Sequence, residues 1–581
     1  MNFFLKMVIL VTGFILLINF NLYPCTTILV TAGASEDGSV MVTHADDNEL
    51  CDERIIYVPA MDHPSGSWRM VYPSAVALGE MPEYNCFLEP RLVCPERGPG
   101  YDTPIYPATV PLGSIPQIEH TYSYFDGSYG IINEHQLMIG ECTNGAKIQL
   151  QAEPGRRIFY SSELSRVALE RCKTAREAVL LIGKLIEQYG YYGTGETLLL
   201  GDAEEGWVLE MCCGTPDSTG GLWVARRVPH GEVFVAANEF RIRDIDPEDP
   251  DLLYSENFFD IIQEMGWWKP EDGTLDWLRA VSLGEYNHPY YSLRRVWRVL
   301  TLVAPSSDLS PWVEDGFTRD YPFSIKPDKP LELRDVMNLH RDHYEGTPFD
   351  MTKGMAAGPF GFPNRYYGPY DGQGDIGDPD RPLQGAWERP LSVSYCGYVY
   401  VNQARSWMPE PWGGICWMGL DRPSETCYIP LYASMNDLPA SLQNCNTAEF
   451  SRESAWWVFN AVSNWSSLKY SYIREDIKHL QDSIENAEIS KVMTIDSISR
   501  QYLEQGKSME ELKSYISDQC YVNTEQVVNR WWEFFEQLIV FYDDGYLNSP
   551  IRMAQEVGYP QWWIDSVGWS NGPTSYEKPS P

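Results

Sequence analysis

Apolar residues crowd one stretch near the start of the chain, Met7 to Pro24, and afterwards fall into short runs. CTTILVTAG from Cys25 and VMVTHADD from Val40 read as two β-strands. β-Branched residues dominate both, and Ser35-Glu36-Asp37-Gly38-Ser39 between them is turn chemistry. Tyr129–Glu134 and the HQLMIGE run after it predict a second hairpin. From Ser162 to Tyr189 apolar residues recur at helical spacing, serines stand at the start and Gly190 ends the run, which predicts one helix. TLLLGD, GWVLEM, GLWVARRV and VFVAANEF follow, parted by Gly-, Asp- and Glu-bearing turns. That alternation predicts an antiparallel sheet.

Residues 251–300 carry aromatic-rich helical segments. Residues 304–440 are rich in Pro and Gly, and GPFGFPNRYYGPYDGQGDIGDPDRP reads as a long loop. Two strand-like pieces, SVSYCGYVYV and GGICWMGL, come after it. Beyond about residue 447 helical periodicity takes over, through Ser451–Val462, Tyr470–Ala487, Met509–Tyr515 and Glu525–Tyr542. The resulting division is a leader over 1–24, a principal domain over 25–440, a helical region over 441–560 and a tail over 561–581.

The charge balance narrows the partners. A formal net charge of −37 over 581 residues argues against nucleic acid or an anionic membrane surface as a partner. The basic residue in MNFFLK followed by the apolar run reads as an export signal, so the sequence points to a secreted, periplasmic or lumenal protein with no stable membrane insertion once the leader is gone. The alternative is an uncleaved anchor. Leu22 and Pro24 are not the small residues that ordinary signal cleavage prefers. In an oxidising compartment, bridges are expected among the 13 cysteines, with Cys51, Cys86 and Cys94 in one loop-rich region and Cys396, Cys416, Cys427 and Cys445 in another.

Cys25 directly follows the leader and directly precedes a strand. A cut before it would place a thiol and a free α-amine on one residue. The amine, with a reference pKa of about 7.7–8.0, can take the proton of a thiol whose reference value is about 8.5. Such a nucleophile also needs donors for an oxyanion and groups that hold the amine. Polar residues at strand ends supply candidates: His44 and Asp47, Asn133, and Asn238. His340 and His343 invite a metal reading, but their spacing departs from HExxH.

These segments occur in an order that resembles peptidase family C69 of the N-terminal-nucleophile hydrolases: CTT, then ASEDGS, YGIINEHQLMIGECT, ERCKTAREA, GDAEEGWVLEM, WVARRVPHGEVFVAANEFRI and YSLRRVWR. The resemblance implies an α+β fold with αββα layers, two antiparallel sheets stacked between helices. It implies a cysteine-type hydrolase that cleaves dipeptides through an acyl-enzyme, with no cofactor and no metal. Cys25 matches the nucleophile, Asp47 the residue that holds the amine, and Asn133 and Asn238 the polar groups near oxyanion and amine. Arg295 matches a pocket arginine, with Arg294 its rival by one register step. His44 stands where many relatives carry arginine. A dipeptide offers an ammonium and a carboxylate, so Glu141, Asp46 and Arg295 are candidates for its two ends. The alternatives are an N-acyl amide hydrolase like penicillin V acylase or bile salt hydrolase, and a non-catalytic anchored surface protein. Self-association as a homo-oligomer is left open.

Overall fold

The computed structural model describes residues 25–47, 52–74, 91–104, 106–284, 291–313, 315–365, 388–548 and 557–567; the leader and the centre of the Pro/Gly loop lie outside these. In chain order the strands are β1 Thr27–Val30, β2 Val40–Asp46, β3 Ile56–Val58, β4 Met61–Asp62, β5 Trp68–Val71, β6 Gly113–Pro116, β7 His120–Thr121, β8 Tyr124–Asp126, β9 Gly130–Asn133 and β10 Met138–Asn144. They continue with β11 Gly195–Gly201, β12 Gly206–Cys213, β13 Gly221–Arg227, β14 Val233–Ala236, β15 Leu252–Tyr254, β16 Ser324–Ile325, β17 Tyr398–Ala404, β18 Ile415–Leu420 and β19 Ile429–Tyr432.

Two large antiparallel sheets form the middle of the molecule. One runs β16-β14-β1-β2-β17-β18-β19, the other β15-β13-β12-β11-β10-β9-β8-β3. β1 and β2 lie against β10 and β11, so the sheets stack face to face. Strands covered on both faces cannot alternate apolar with polar, which is why Ile28, Leu29, Val30, Val40 and Val42 are all wholly buried. Each such side chain contributes about 1.5–3 kcal/mol when taken from water. Gly140 on β10 permits the closest approach, because a Cβ there would run into Thr27 Oγ1 and the Thr43 carbonyl. Helices Ser161–Arg171 and Ala175–Tyr189 cover the outer face of the eight-stranded sheet. Leu293–Val303, Ala455–Ser466, Tyr470–Glu504 and Met509–Phe541 cover the other sheet. The layers are αββα, and the α+β class expected from the sequence holds.

Both expected hairpins form, β1 with β2 and β9 with β10. The four-run sheet needs correction. β11, β12 and β13 pair as expected, but β14 crosses to the other sheet and pairs along the whole of β1. That crossing delivers Asn238 to Cys25. The single helix expected over 162–189 is two helices. Cys172 turns extended, and Thr174 caps the second helix in a reciprocal box with Glu177. In the opposite sense, Met509–Tyr515 and Glu525–Tyr542 belong to one helix. Ile516, Cys520, Asn523 and Thr524 continue its buried face across the interval. The expected tail contains a short helix, Gln561–Ser566.

The expected disulfides are absent among the described residues. Cys94, Cys396, Cys416 and Cys427 are buried free thiols; Cys51 and Cys86 lie outside the described set. These four serve the interior as small apolar groups, and the thiol of Cys396 also donates to the Tyr398 carbonyl. Among the described residues no helix is long and apolar enough to cross a membrane.

Candidate active site

The pairing of β1 with β2 fixes the neighbours of Cys25. Thr26 stands opposite Ala45. One step further along the antiparallel register, Cys25 faces the end of β2, where Asp46 and Asp47 lie. β10, in the facing sheet, brings Glu141 and Cys142 to the same place. The Cys142 thiol donates to the Cys25 carbonyl at 3.4 Å. Cys25, His44, Asp46, Asp47, Glu141, Asn238 and Arg295 are all buried.

Arg295 is the centre of a hydrogen-bond clamp. Its Nη1 donates to the Cys25 carbonyl and to Thr26 Oγ1, both at 2.8 Å. Its Nη2 donates to the Ala237 carbonyl at 3.1 Å and to Asn238 Oδ1 at 2.7 Å, and Nε donates to the Tyr291 carbonyl at 3.1 Å. A guanidinium has five N–H donors, and all five are taken. Arg295 therefore sets the positions of Cys25 and Asn238 and has no donor left for a substrate carboxylate, which corrects that part of its expected role. Its rival Arg294 turns the other way, towards Glu388, the Pro311 carbonyl and the Phe349 ring.

Asn238 adopts a left-handed backbone, φ 66°. This turn follows directly from the end of β14 and aims the peptide N–H at Cys142 Sγ, 2.8 Å away. The side-chain Nδ2 donates to the Thr143 carbonyl at 2.7 Å. One of its two hydrogens is used there.

Asp47 accepts from Arg389 Nη2 at 2.5 Å through Oδ2, while Oδ1 has no hydrogen-bond partner. Burial raises its pKa to about 6 against the pull of Arg389. Glu141 is tied to a second buried carboxylate: Thr143 Oγ1 lies 2.9 Å from Glu141 Oε1 and 3.2 Å from Glu196 Oε1. Tyr160 OH donates to Glu196 Oε1 at 2.6 Å. Burial pushes both carboxyls up, and the neighbouring Glu196 pushes Glu141 further, so the pair retains a proton. His44 shares its Nδ1 proton with the Glu141 backbone carbonyl at 2.9 Å. Burial lowers its pKa and keeps the ring neutral, so it does not replace an arginine as a fixed positive charge.

The Cys25 thiol is pushed up, first by burial and then by Glu141, Asp46 and Asp47. A thiolate here requires a compensating positive charge nearby. The structure also removes one candidate. Asn133 donates through Nδ2 to the carbonyls of Leu169 and Cys172, at 2.9 and 2.8 Å, and its Oδ1 accepts from the His135 and Leu137 N–H groups. Both amide hydrogens serve the C-terminal carbonyls of the Ser161–Arg171 helix, so Asn133 is a structural residue and not an oxyanion donor. His340 donates or accepts at Thr43 Oγ1 at 2.7 Å, and His343 bonds Glu345 at 3.2 Å; the two do not converge. A different set does: one donor atom each from Cys25, His44 and Glu141 lie within 4.8 Å of one another.

Sequence reasoning missed Arg389, Glu196 and Cys142. Arg389 follows the long loop and no local pattern marks it. Glu196 and Cys142 lie on wholly buried strands, where a charged residue or thiol inside an apolar run was the available signal.

Known proteins resemble the chain over most of its length. The chain is 24% identical over 418 residues to a probable dipeptidase of Salmonella dublin, covering 71% of this chain and 81% of that one. It is 21% identical over 525 residues to dipeptidase A of Lactobacillus helveticus, covering 87% and 95%. With a dipeptidase of Bifidobacterium longum it shares 23% identity over 456 residues, covering 74% and 75%. The family model for peptidase family C69 matches residues 123–483, which include Glu141, Asn238 and Arg295, while Cys25 and the end of β2 precede the match. By that match over more than half its length, and with this fold, the chain belongs to peptidase family C69 and is a peptide-bond hydrolase.

Proposed function

We propose that the protein is a cysteine-type dipeptidase whose nucleophile is Cys25, made the first residue by removal of residues 1–24. The names of its relatives support the substrate class. The observation that carries the mechanism is the environment of Cys25: a thiol disfavoured as an anion, facing the end of β2, where Asp47 has an unpartnered Oδ1. A freed α-amine supplies the missing positive charge, and Asp47 Oδ1 supplies its acceptor.

In this reading the amine takes the thiol proton and becomes an ammonium held by Asp47. The thiolate attacks the peptide carbonyl carbon. The second Nδ2 hydrogen of Asn238 is the side-chain donor for the oxygen that becomes negative. The ammonium then protonates the departing amine, the C–N bond breaks and an acyl-thioester remains on Cys25. Water, deprotonated by the same amine, hydrolyses the thioester. Glu141 and Asp46 are the acidic groups for the substrate ammonium. The leader pattern supports export before or during maturation.

Intact-mass measurement and N-terminal sequencing of active protein test this reading. Cys25 is expected as the first residue, with its amine free. Full dipeptide turnover by protein whose Cys25 nitrogen is still acylated would end it.

A further inference from the structure

Three buried donors meet at the nucleophile. Cys25 Sγ, one ring nitrogen of His44 and one carboxylate oxygen of Glu141 all lie within 4.8 Å of one another. Ligand bonds of about 2.0–2.3 Å around a tetrahedral ion put ligand atoms roughly 3.3–3.8 Å apart, so the three need to draw in by about an ångström.

The protein around them is arranged as metal ligands require. His44 Nδ1 lies 2.9 Å from the Glu141 backbone carbonyl and 3.3 Å from the Glu141 N–H; the carbonyl is the closer and can only accept, so Nδ1 carries the proton and the lone pair falls on Nε2. A backbone carbonyl on the far ring nitrogen is the usual support of a ligating histidine. Nε2 has no hydrogen-bond partner, although His44 is wholly buried. Glu141 has one oxygen engaged with Thr143, and the other, Oε2, is likewise unpartnered and wholly buried. Two buried lone pairs with no donor near them but the Cys25 thiol, which bonds Glu141, are costly, and a cation that also takes that sulfur satisfies both. A sulfur, an imidazole nitrogen and a carboxylate oxygen form a set suited to a borderline-soft dication of tetrahedral habit.

We propose that Cys25, His44 and Glu141 form a zinc site that silences the enzyme by holding its nucleophile. As the S–Zn bond forms the thiol proton is released to solvent, the proton of the carboxyl pair stays on Glu196, and the dication offsets the charges of the Cys25 thiolate and the Glu141 carboxylate. The fourth position is open to water or to the freed α-amine of Cys25. Binding by the three side chains is independent of the dipeptidase reading; the inhibitory consequence rests on it.

Cobalt(II) titration of metal-free protein, followed by absorption, tests the site, because thiolate ligation gives a near-ultraviolet charge-transfer band. One equivalent of cobalt is expected to produce the band, and zinc to displace it. The band should vanish in Cys25→Ser and persist in Cys142→Ser, and His44→Gln or Glu141→Gln should weaken affinity at least about tenfold. Circular dichroism and melting temperature establish that each variant is folded. Dipeptide hydrolysis measured in parallel should fall as zinc occupies the site and return with a chelator. Stoichiometric metal without the band, a band lost only in Cys142→Ser, or unchanged affinity in folded His44→Gln would overturn the proposal. An active enzyme that binds no metal sinks the zinc site and leaves the dipeptidase reading standing. Binding in a protein with no turnover under any condition does the reverse.

Discussion

Arg295 Nη1 donates to the carbonyl oxygen of Cys25 at 2.8 Å, joining the Leu293–Val303 helix to the residue that leads into β1. Lysine cannot supply five directed donors, so Arg295→Lys leaves several buried acceptors unmet. We expect a stability loss of about 2–5 kcal/mol and a fall in kcat/KM of about 100-fold or more, since the nucleophile is no longer held. Arg294→Lys should leave kcat/KM largely unchanged. Dipeptide kinetics and denaturation of both variants check this, and greater catalytic damage from Arg294→Lys would reverse the assignment.

Cys25→Ser should fold normally and lose amide turnover by about 10³-fold or more, because a serine hydroxyl is far less acidic than a thiol and the α-amine is too weak a base for it. Steady-state kinetics together with a melting curve make the comparison. Retained turnover would place the nucleophile elsewhere.

Asn133→Ala removes two donors from the helix end at Leu169 and Cys172 and one acceptor from two N–H groups. The expected cost is about 2–4 kcal/mol of stability, with kcat of the folded fraction unchanged. Chemical denaturation and thiol-titrated kinetics separate the two effects. A collapse of kcat at intact stability would return Asn133 to the oxyanion.

Glu210 gives a pH signature. Its carboxylate accepts from the Arg241 and Ile242 N–H groups, yet burial raises its pKa from 4.5 to about 7. The folded state therefore holds a proton that the unfolded state has lost between those values. The stabilising contribution is full below about pH 4.5 and is lost as pH rises through about 7, amounting to about 3 kcal/mol. Urea denaturation of the native protein and of Glu210→Gln at pH 5 and pH 8 reads this directly. The native protein should lose more stability over that interval than the variant, and parallel curves would show that Glu210 does not titrate there.

The hairpin of β1 and β2, the β9–β10 hairpin and the position of Cys25 at the mouth of a strand were legible in the chain. Local patterns carry them: β-branched runs, turn residues at fixed offsets and helical spacing depend only on neighbours in sequence. Where the Ser161–Arg171 helix stops was not legible, because the break at Cys172 depends on Asn133 from a distant hairpin meeting the carbonyls of Leu169 and Cys172.

The same limit governs the site. The sequence by itself determined that Cys25, Asp47 and Asn238 stand at strand ends, and its resemblance to the family implied a pocket arginine at 295 or 294. Only the tertiary structure decided that Arg295 and not Arg294 faces Cys25, that Arg389 rather than a local partner pairs with Asp47, and that Glu196 lies beside Glu141. Those choices are made by burial. In the space between two stacked sheets each polar group must find a partner or keep its proton, and which groups meet there depends on register and sheet order.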